Sequence, residues 1–364
     1  QVHFSSSWPH FGCLFHKLTV LAMSRPRCQN GDWSTAATRV ALIGDSTLDN
    51  VLWVGDDPCI AEQIVKEIAG TAVANLAADG YTTSDTLHGS TRVISVGMRG
   101  RVGAGEGCDP LQYEDDGHFH PLTQLAALEP PPTHVILSVG GNDVREILRD
   151  MGKLPEVMRD FMPKYVDILD VCMTVTPNVV LMFQYRPSFY MDGGGYGVYQ
   201  AIGSIPGPGD AVQKLNHLMQ TIYAPILTIA RERKVPVIDL PRTFDIYRDE
   251  LYSHQIEPSA KGGEVITCII RHVIEQDTPE KPSTLYSYTP CIPGTGVVNE
   301  TPNAGDPWVI PHDPAQISLA GAGGADAKVM ALVGMGFERT LVEEALARHG
   351  GDQGQAVAEL LGDG

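Results

Sequence analysis

Val40-Ala41-Leu42-Ile43-Gly44-Asp45-Ser46-Thr47-Leu48-Asp49-Asn50 is the stretch that decides the reading of this chain. An apolar run stops at a glycine, and a polar cluster follows at once. A short apolar run bounded by a turn signal reads as a buried strand, here Arg39–Ile43. A serine just past the carboxyl end of such a strand sits at the sheet rim. Its hydroxyl and its backbone N–H can both face a substrate there. Gly44 allows a tight backbone path. Alone, the Gly44-Asp45-Ser46 triplet is also what a simple cap of the next segment looks like.

Outward from that stretch, short β-branched runs alternate with helical patterns. Further strands are predicted at Thr71–Leu76, Arg92–Val96, His134–Val139, Asn178–Phe183 and Val235–Leu240. A helix is predicted between the first two strands. Asp57 is placed to cap it, Pro58 lies in its first turn, Ile60, Ile64 and Ile68 repeat every fourth residue, and Gly70 ends it. A longer helix is predicted over Ala211–Arg233, kinked at Pro225, and another from Ser259 to about Ile274. Alternating strand and helix predicts an α/β domain with a mostly parallel sheet between helices. Residues 98–117 and 186–210 lack periodicity and read as long loops. In such a sheet, loops at the strands' carboxyl ends border the ligand crevice.

Two more clusters sit at strand ends. Asn75-Leu76-Ala77-Ala78-Asp79-Gly80 ends the second strand, and Gly140-Gly141-Asn142-Asp143 follows the strand His134–Val139. The backbone N–H groups of Ser46 and Gly80 and the Asn142 side-chain amide are neutral donors. Together they can form an oxyanion hole. With the serine triplet, these three blocks resemble the SGNH (GDSL-like) hydrolase superfamily over roughly residues 38–276. Gly44-Asp45-Ser46 matches its nucleophile block, Gly80 the second block and Gly140-x-Asn142-Asp143 the third. The resemblance implies a flavodoxin-like, three-layer fold with a five-stranded parallel sheet of order 2-1-3-4-5. It also implies hydrolysis of a small ester through an acyl-serine intermediate, with Ser46 as nucleophile and no metal or cofactor.

The fourth block departs from the family pattern Asp-x-x-His-Pro. Here the chain reads His254-Gln255-Ile256-Glu257-Pro258-Ser259-Ala260-Lys261-Gly262-Gly263-Glu264. Glu257 stands in the histidine's place and His254 in the aspartate's. Three readings stay open. His254 abstracts the Ser46 proton while Glu257 orients the imidazole. Glu257 takes the proton itself, which asks burial to lift a carboxyl from about 4.3. Or the block is kept for folding alone, and the domain is an inactive scaffold.

Composition bounds the alternatives. The chain of 364 residues carries 26 Lys+Arg against 44 Asp+Glu, a formal net charge of −18. Such a surface repels the phosphates of nucleic acid and of anionic membranes, so no nucleic-acid partner is expected. No run of about 18 apolar residues exists, so no membrane span is expected either. The 7 Cys are widely spaced, with no CxxC pair, which argues against a disulfide scaffold or a structural zinc site. His118 and His120 near Asp115 and Asp116 read as solvated loop residues rather than metal ligands. His16 and Lys17 interrupt the apolar stretch Phe11–Ala22, which makes a poor signal-peptide core, and a cytoplasmic location is expected. The sequence opens on Gln1, and Met23 is a plausible start.

From Asp277 the composition shifts. Pro279, Pro282, Pro290, Pro293, Pro302, Pro307, Pro311 and Pro314 precede Gly321-Ala322-Gly323-Gly324. The organisation read from this is a disordered or leader-like tail (1–37), an α/β domain (38–276), a Pro/Gly-rich linker (277–324) and a small helical domain (325–363). The last reads as three helices, Lys328–Val333, Thr340–Arg348 and Gln355–Leu361. It resembles a ubiquitin-associated (UBA) domain through Leu332-Val333-Gly334-Met335-Gly336-Phe337, Ala345-Leu346, Gly351-Asp352, Ala356-Val357 and Leu360-Leu361. The resemblance implies ubiquitin as partner, met by Met335, Gly336, Phe337, Leu360 and Leu361.

Overall fold

The computed structural model describes residues 29–90, 119–149, 154–190, 197–276, 281–289, 296–301, 308, 310, 329, 339–350 and 353–360. The run that opens the domain forms β2 (Thr38–Gly44), after a two-residue β1 (Gln29–Asn30). Val40, Ala41, Leu42 and Ile43 are wholly buried, because both faces of this strand are covered. Ala41 and Ile43 enter one apolar cluster, Val40 and Leu42 the other. That alternation is the period of two of a strand lying between two helical layers.

β2 pairs in parallel with β3 (Thr71–Asn75) on one side and β4 (His134–Ser138) on the other. β5 (Val179–Phe183) and β6 (Val237–Asp239) continue in parallel from β4. Counted in chain order, these five strands have the order 2-1-3-4-5. The predicted strand Arg92–Val96 lies outside the described residues.

The helices are α1 (Ile60–Glu67), α2 (Thr83–His88), α3 (Pro121–Ala126), α4 (Gly141–Arg149), α5 (Leu154–Val175), α6 (Val198–Gly203), α7 (Ala211–Arg233), α8 (Leu240–Thr243) and α9 (Ala260–Gln276). Leu122 and Leu125 of α3, Tyr165 and Ile168 of α5, and Ile222 and Ile226 of α7 pack on one sheet face. Ile60 and Ile64 of α1 and Ile266, Ile269 and Ile270 of α9 pack on the other. α1 is capped by Cys59 and Glu62, not by Asp57. The Glu62 carboxylate accepts the Cys59 N–H at 3.0 Å, and Asn50 Oδ1 accepts the Ile60 N–H at 2.9 Å. Part of the stretch read as a long loop, 186–210, is helical: it contains α6.

The sheet is larger than the five strands expected. It has eight among the described residues, in the order β1-β3-β2-β4-β5-β6-β9-β10. β9 (Leu285–Tyr288) adds in parallel to β6, and β10 (Val297–Glu300) closes that edge antiparallel to β9. Both come from the stretch read as a linker, 277–324. Its first part is domain core: Leu285, Tyr286, Trp308 and Ile310 are all buried. The Trp308 ring meets Phe183 and Tyr223 edge-on, and its Nε1–H donates to Asp239 at 2.7 Å. Two four-residue strands thus stand in the stretch read as a spacer. At the opposite edge, β1 pairs antiparallel with β3 and Trp33 is buried, so the domain reaches into the stretch assigned to the tail.

A separate apolar cluster belongs to α10 (Arg339–Arg348) and α11 (Gln353–Leu360). Val342, Ala345, Leu346 and Ala356 are buried between them, with Val329, and Leu360 packs against the cluster. Of the first helix predicted here only Val329 is described. Met335, Gly336, Phe337 and Leu361 lie outside the described residues. No helix among the described residues is long and apolar enough to cross a membrane.

Candidate active site

β2 ends at Gly44, and the chain turns sharply. The Leu48 and Asp49 N–H groups both donate to the Asp45 carbonyl, at 3.1 and 2.9 Å. A Cβ on Gly44 would run into the Ser138 carbonyl of β4, so no other residue fits this close approach. The turn leaves Ser46 half-buried at the carboxyl end of β2, between the ends of β3 and β4.

Asp45 is buried beneath it. Its carboxylate accepts the Thr47 N–H at 3.1 Å and the Gln184 amide at 3.0 Å. Gln184 follows β5, and it also accepts the Thr47 hydroxyl and donates to Ser138 Oγ at 3.1 Å. The serine turn is thus tied to the next two strands of the sheet. Burial pushes the Asp45 carboxyl up to about 6, against the pull of these donors.

The two neighbouring strand ends are stapled to each other. After β3, Gly80 adopts φ +80°, a conformation that favours glycine. Asp79 N–H donates to Asp49 Oδ2 at 3.0 Å. After β4, Asn142 Nδ2 donates to the Tyr81 carbonyl at 3.1 Å. The buried Asp143 carboxylate accepts both the Thr83 N–H, at 2.9 Å, and the Thr83 hydroxyl, at 2.6 Å. Burial raises the Asp143 pKa. These bonds hold Gly80 and Asn142, the two oxyanion donors expected beside Ser46, on the strands flanking β2. An amide NH2 has two donors. One fixes Asn142 to Tyr81, which leaves the other for a ligand.

The fourth block forms a hairpin, β7 (Tyr252–His254) and β8 (Glu257–Pro258), in which His254 pairs with Glu257. Tyr185 donates its hydroxyl to the Ile256 carbonyl at 2.6 Å, and the Ser188 N–H donates to the Gln255 carbonyl at 2.7 Å. Fastened so, the hairpin buries Glu257 beside Ser46. Burial drives the Glu257 pKa well above the ordinary carboxyl range, and the nearby Asp79 carboxylate pushes the same way. The Ser46 hydroxyl, a hydrogen-bond partner, and the Arg145 charge pull it back only in part. His254 is exposed, and its ring meets Trp53 edge-on with centroids 5.2 Å apart. Of the exchanged pair, the carboxyl faces the serine.

A cavity of about 590 Å3 opens beside Ser46 and Asn142. It runs under α4, α6 and α7, past Leu148, Val198, Leu215 and Met219. The reading of the sequence placed a crevice near residues 186–210 but named none of these side chains. It also gave no role to Gln184, Asp79 or Arg145. Gln184 carried one usable signal, a polar residue directly after a buried strand, at the rim where Ser46 sits.

No protein-family model matches the chain, and no curated protein sequence matches it. Among solved structures it is similar to a variant of an acetyl xylan esterase from Geobacillus stearothermophilus, at 14% identity and TM-score 0.39, over 68% of this chain and 99% of that one. It is similar to a GDSL-like lipase from Bacteroides thetaiotaomicron, at 15% identity and TM-score 0.37, over 66% and 88%. It is also similar to an extracellular lipase from Streptomyces rimosus, at 13% identity and TM-score 0.38, over 62% and 95%.

Proposed function

We propose that this chain hydrolyses a carboxylic ester through an acyl-serine intermediate, with Ser46 as nucleophile and Glu257 as its base. The observation that carries the reading is the Glu257 carboxyl, buried against the hydroxyl of Ser46, a residue that lines a cavity. A carboxylate with an ordinary pKa is a weak base for serine. One whose pKa is lifted by burial is stronger, because proton affinity rises with pKa. In the deprotonated enzyme, Glu257 takes the hydroxyl proton as Ser46 Oγ bonds to the ester carbonyl carbon. The carbonyl oxygen becomes an oxyanion that accepts from the Ser46 and Gly80 N–H groups and from the Asn142 amide. The tetrahedral centre then expels the alkoxide, which leaves as alcohol with the proton from Glu257. Water repeats the sequence. It gives a proton to Glu257 and its oxygen to the acyl carbon, and Ser46 departs with that proton. The acid is released and the site is restored without a cofactor.

The rival arrangement gives the base role to His254, with Glu257 orienting it. Exposure of His254 and its contact with Trp53 favour the direct carboxylate. Labelling with a fluorophosphonate tests the nucleophile: wild type should react and Ser46→Ala should not. Equal labelling of both would remove Ser46 from the mechanism. The base is tested by kcat for Glu257→Gln and His254→Ala on a p-nitrophenyl ester. Near-complete loss in the second with little in the first would reverse the assignment.

We further propose that the C-terminal helices tether this hydrolase to ubiquitin. Support comes from the Met335-Gly336-Phe337 motif and from the apolar cluster shared by α10 and α11. Leu341 on α10 is 50% exposed, the one large apolar side chain so exposed among the described residues.

A further inference from the structure

The cavity beside Ser46 has two unlike ends. Ser46 and Asn142 stand at one. Val144, Leu148, Val198, Ala201, Leu215 and Met219 form the apolar part of its wall, with Arg145, Gln200 and Ser204 among the polar residues that complete it. Several polar wall residues are already satisfied by neighbours. Thr47 and Gln184 bond to each other, and Gln255 Oε1 accepts the Val198 N–H at 3.3 Å. What remains open to a ligand is mainly hydrocarbon surface. A cavity of this kind stabilises an apolar chain by removing it from water.

The position of the base decides which half of an ester enters. Glu257 must reach the leaving oxygen to return the proton, within hydrogen-bond distance. Glu257 does not line the cavity, nor do Trp53 and His254 beside it. The alcohol therefore departs on the Glu257 side, away from the cavity. The acyl group is the substituent of the tetrahedral centre left to occupy the hydrocarbon end. We infer that the cavity between α4, α6 and α7 is an acyl pocket, and that this enzyme selects esters of medium-chain aliphatic acids over acetates. The inference rests on the hydrolase reading and adds the substrate class to it. At about 30 Å3 for each water-sized group, a chain of about ten carbons takes roughly half of the 590 Å3. Ala201 is the specificity-determining position. It lies on the six-residue α6, where its small side chain leaves the space that a larger one would fill.

The test is kcat/KM for p-nitrophenyl acetate, butanoate, octanoate and decanoate, on the full chain. Alkyl acetates with alcohols of matching length form the control series. Burial is worth about fourfold per methylene. The octanoate should therefore exceed the acetate at least a hundredfold, while lengthening the alcohol has little effect. Ala201→Phe should cut the octanoate-to-acetate ratio at least tenfold, and Met219→Ala should move the optimum to a longer acid. The two variants change the pocket in opposite senses, so a folding defect in one leaves the other to decide. Acetate turnover with a flat acyl series would overturn the acyl pocket and leave the hydrolase standing. So would a rise with alcohol length instead, or an octanoate preference indifferent to both variants. No turnover of any ester, with no fluorophosphonate labelling of Ser46, would overturn the hydrolase reading and this inference with it.

Discussion

The rim around Ser46 and the helical pair at residues 339–360 are built in opposite ways. The rim is gathered from five stretches of chain, the ends of β2, β3, β4 and β5 and the β7–β8 hairpin, and cross-stretch hydrogen bonds hold it. Thr83 to Asp143, Asn142 to Tyr81, Gln184 to Asp45 and Tyr185 to Ile256 are the ties. The helical pair joins two neighbours in sequence through a handful of apolar residues, Val342, Ala345, Leu346 and Ala356. The difference teaches where damage spreads. A lost tie in the rim misplaces groups on other strands, whereas a lost contact in the pair is felt only there.

The largest expected effect falls on the rim. Ser46→Ala should lower kcat/KM by at least about a thousandfold, leaving only binding and oxyanion contributions. Glu257→Gln should come within about tenfold of that loss, and His254→Ala should cost less than about tenfold. Steady-state kinetics on one chromogenic ester measures all three.

Trp308→Ala should be the largest loss of stability, about 3–5 kcal/mol by urea denaturation, because the buried ring packs edge-on against the stacked Phe183 and Tyr223. Removing residues 311–364 should leave that transition nearly unchanged. Ending the chain at residue 280 should destroy it, since β9 and β10 would then be missing. A Trp308→Ala protein as stable as wild type would restore the linker reading.

That contrast marks what was legible. Val40–Ile43 declared a buried strand because the run is long enough to be apolar on both faces. Ile60 and Ile64 declared α1 by their spacing. Leu285-Tyr286-Ser287-Tyr288 is too short to show a period, and prolines on both sides imitate a spacer. Its strand state comes from pairing with β6, a contact between stretches far apart in sequence. The same holds at the site. Gly44, Ser46, Gly80 and Asn142 were readable because strand-end chemistry is local. Which member of the His254/Glu257 pair faces Ser46 was not readable, because the hairpin's seating depends on Tyr185 and Ser188 from another strand end.

The pH dependence sharpens the rim further. As the proposed base, Glu257 would have to be deprotonated to act, and burial lifts its pKa well above the ordinary carboxyl range. Activity should therefore rise with pH through a limb displaced well above about 4.3. Asp45 acts on stability with a definite sign. Its pKa is about 6 in the folded chain against a reference of 3.8, so the folded state binds the proton more tightly. Stability from this group is present below pH 4 and is lost as pH rises to 6, at no more than about 1.4 kcal/mol per pH unit. Asp45→Asn should remove that loss. Melting temperatures at pH 4, 5 and 6 should show the variant gaining on wild type as pH rises, and a constant gap would put the charge of Asp45 elsewhere.

The smallest effect belongs to the helical pair. The proposed contact through Met335, Gly336, Phe337 and Leu360 would cover a single apolar patch. Little area is then buried against the cost of association, so ubiquitin should bind the full chain weakly, on the order of 10 μM to 1 mM. Titrating the unlabelled chain into labelled ubiquitin should shift resonances over one apolar surface. Because apolar burial dominates, raising salt should weaken binding only a few fold. Phe337→Ala should abolish the shifts, since truncating an aromatic anchor removes much of the energy of a small contact. Leu341→Ala separates two faces of the same bundle. Leu341 stands exposed on α10, turned away from the buried Val342, Ala345 and Leu346. If Met335, Phe337 and the end of α11 form the binding face, Leu341→Ala should change affinity less than about threefold. A tenfold loss there, with Phe337→Ala harmless, would move the partner onto α10. The ester kinetics of both variants should match wild type, because no described residue of α10 or α11 lines the Ser46 cavity and the proposed contact lies elsewhere in the chain.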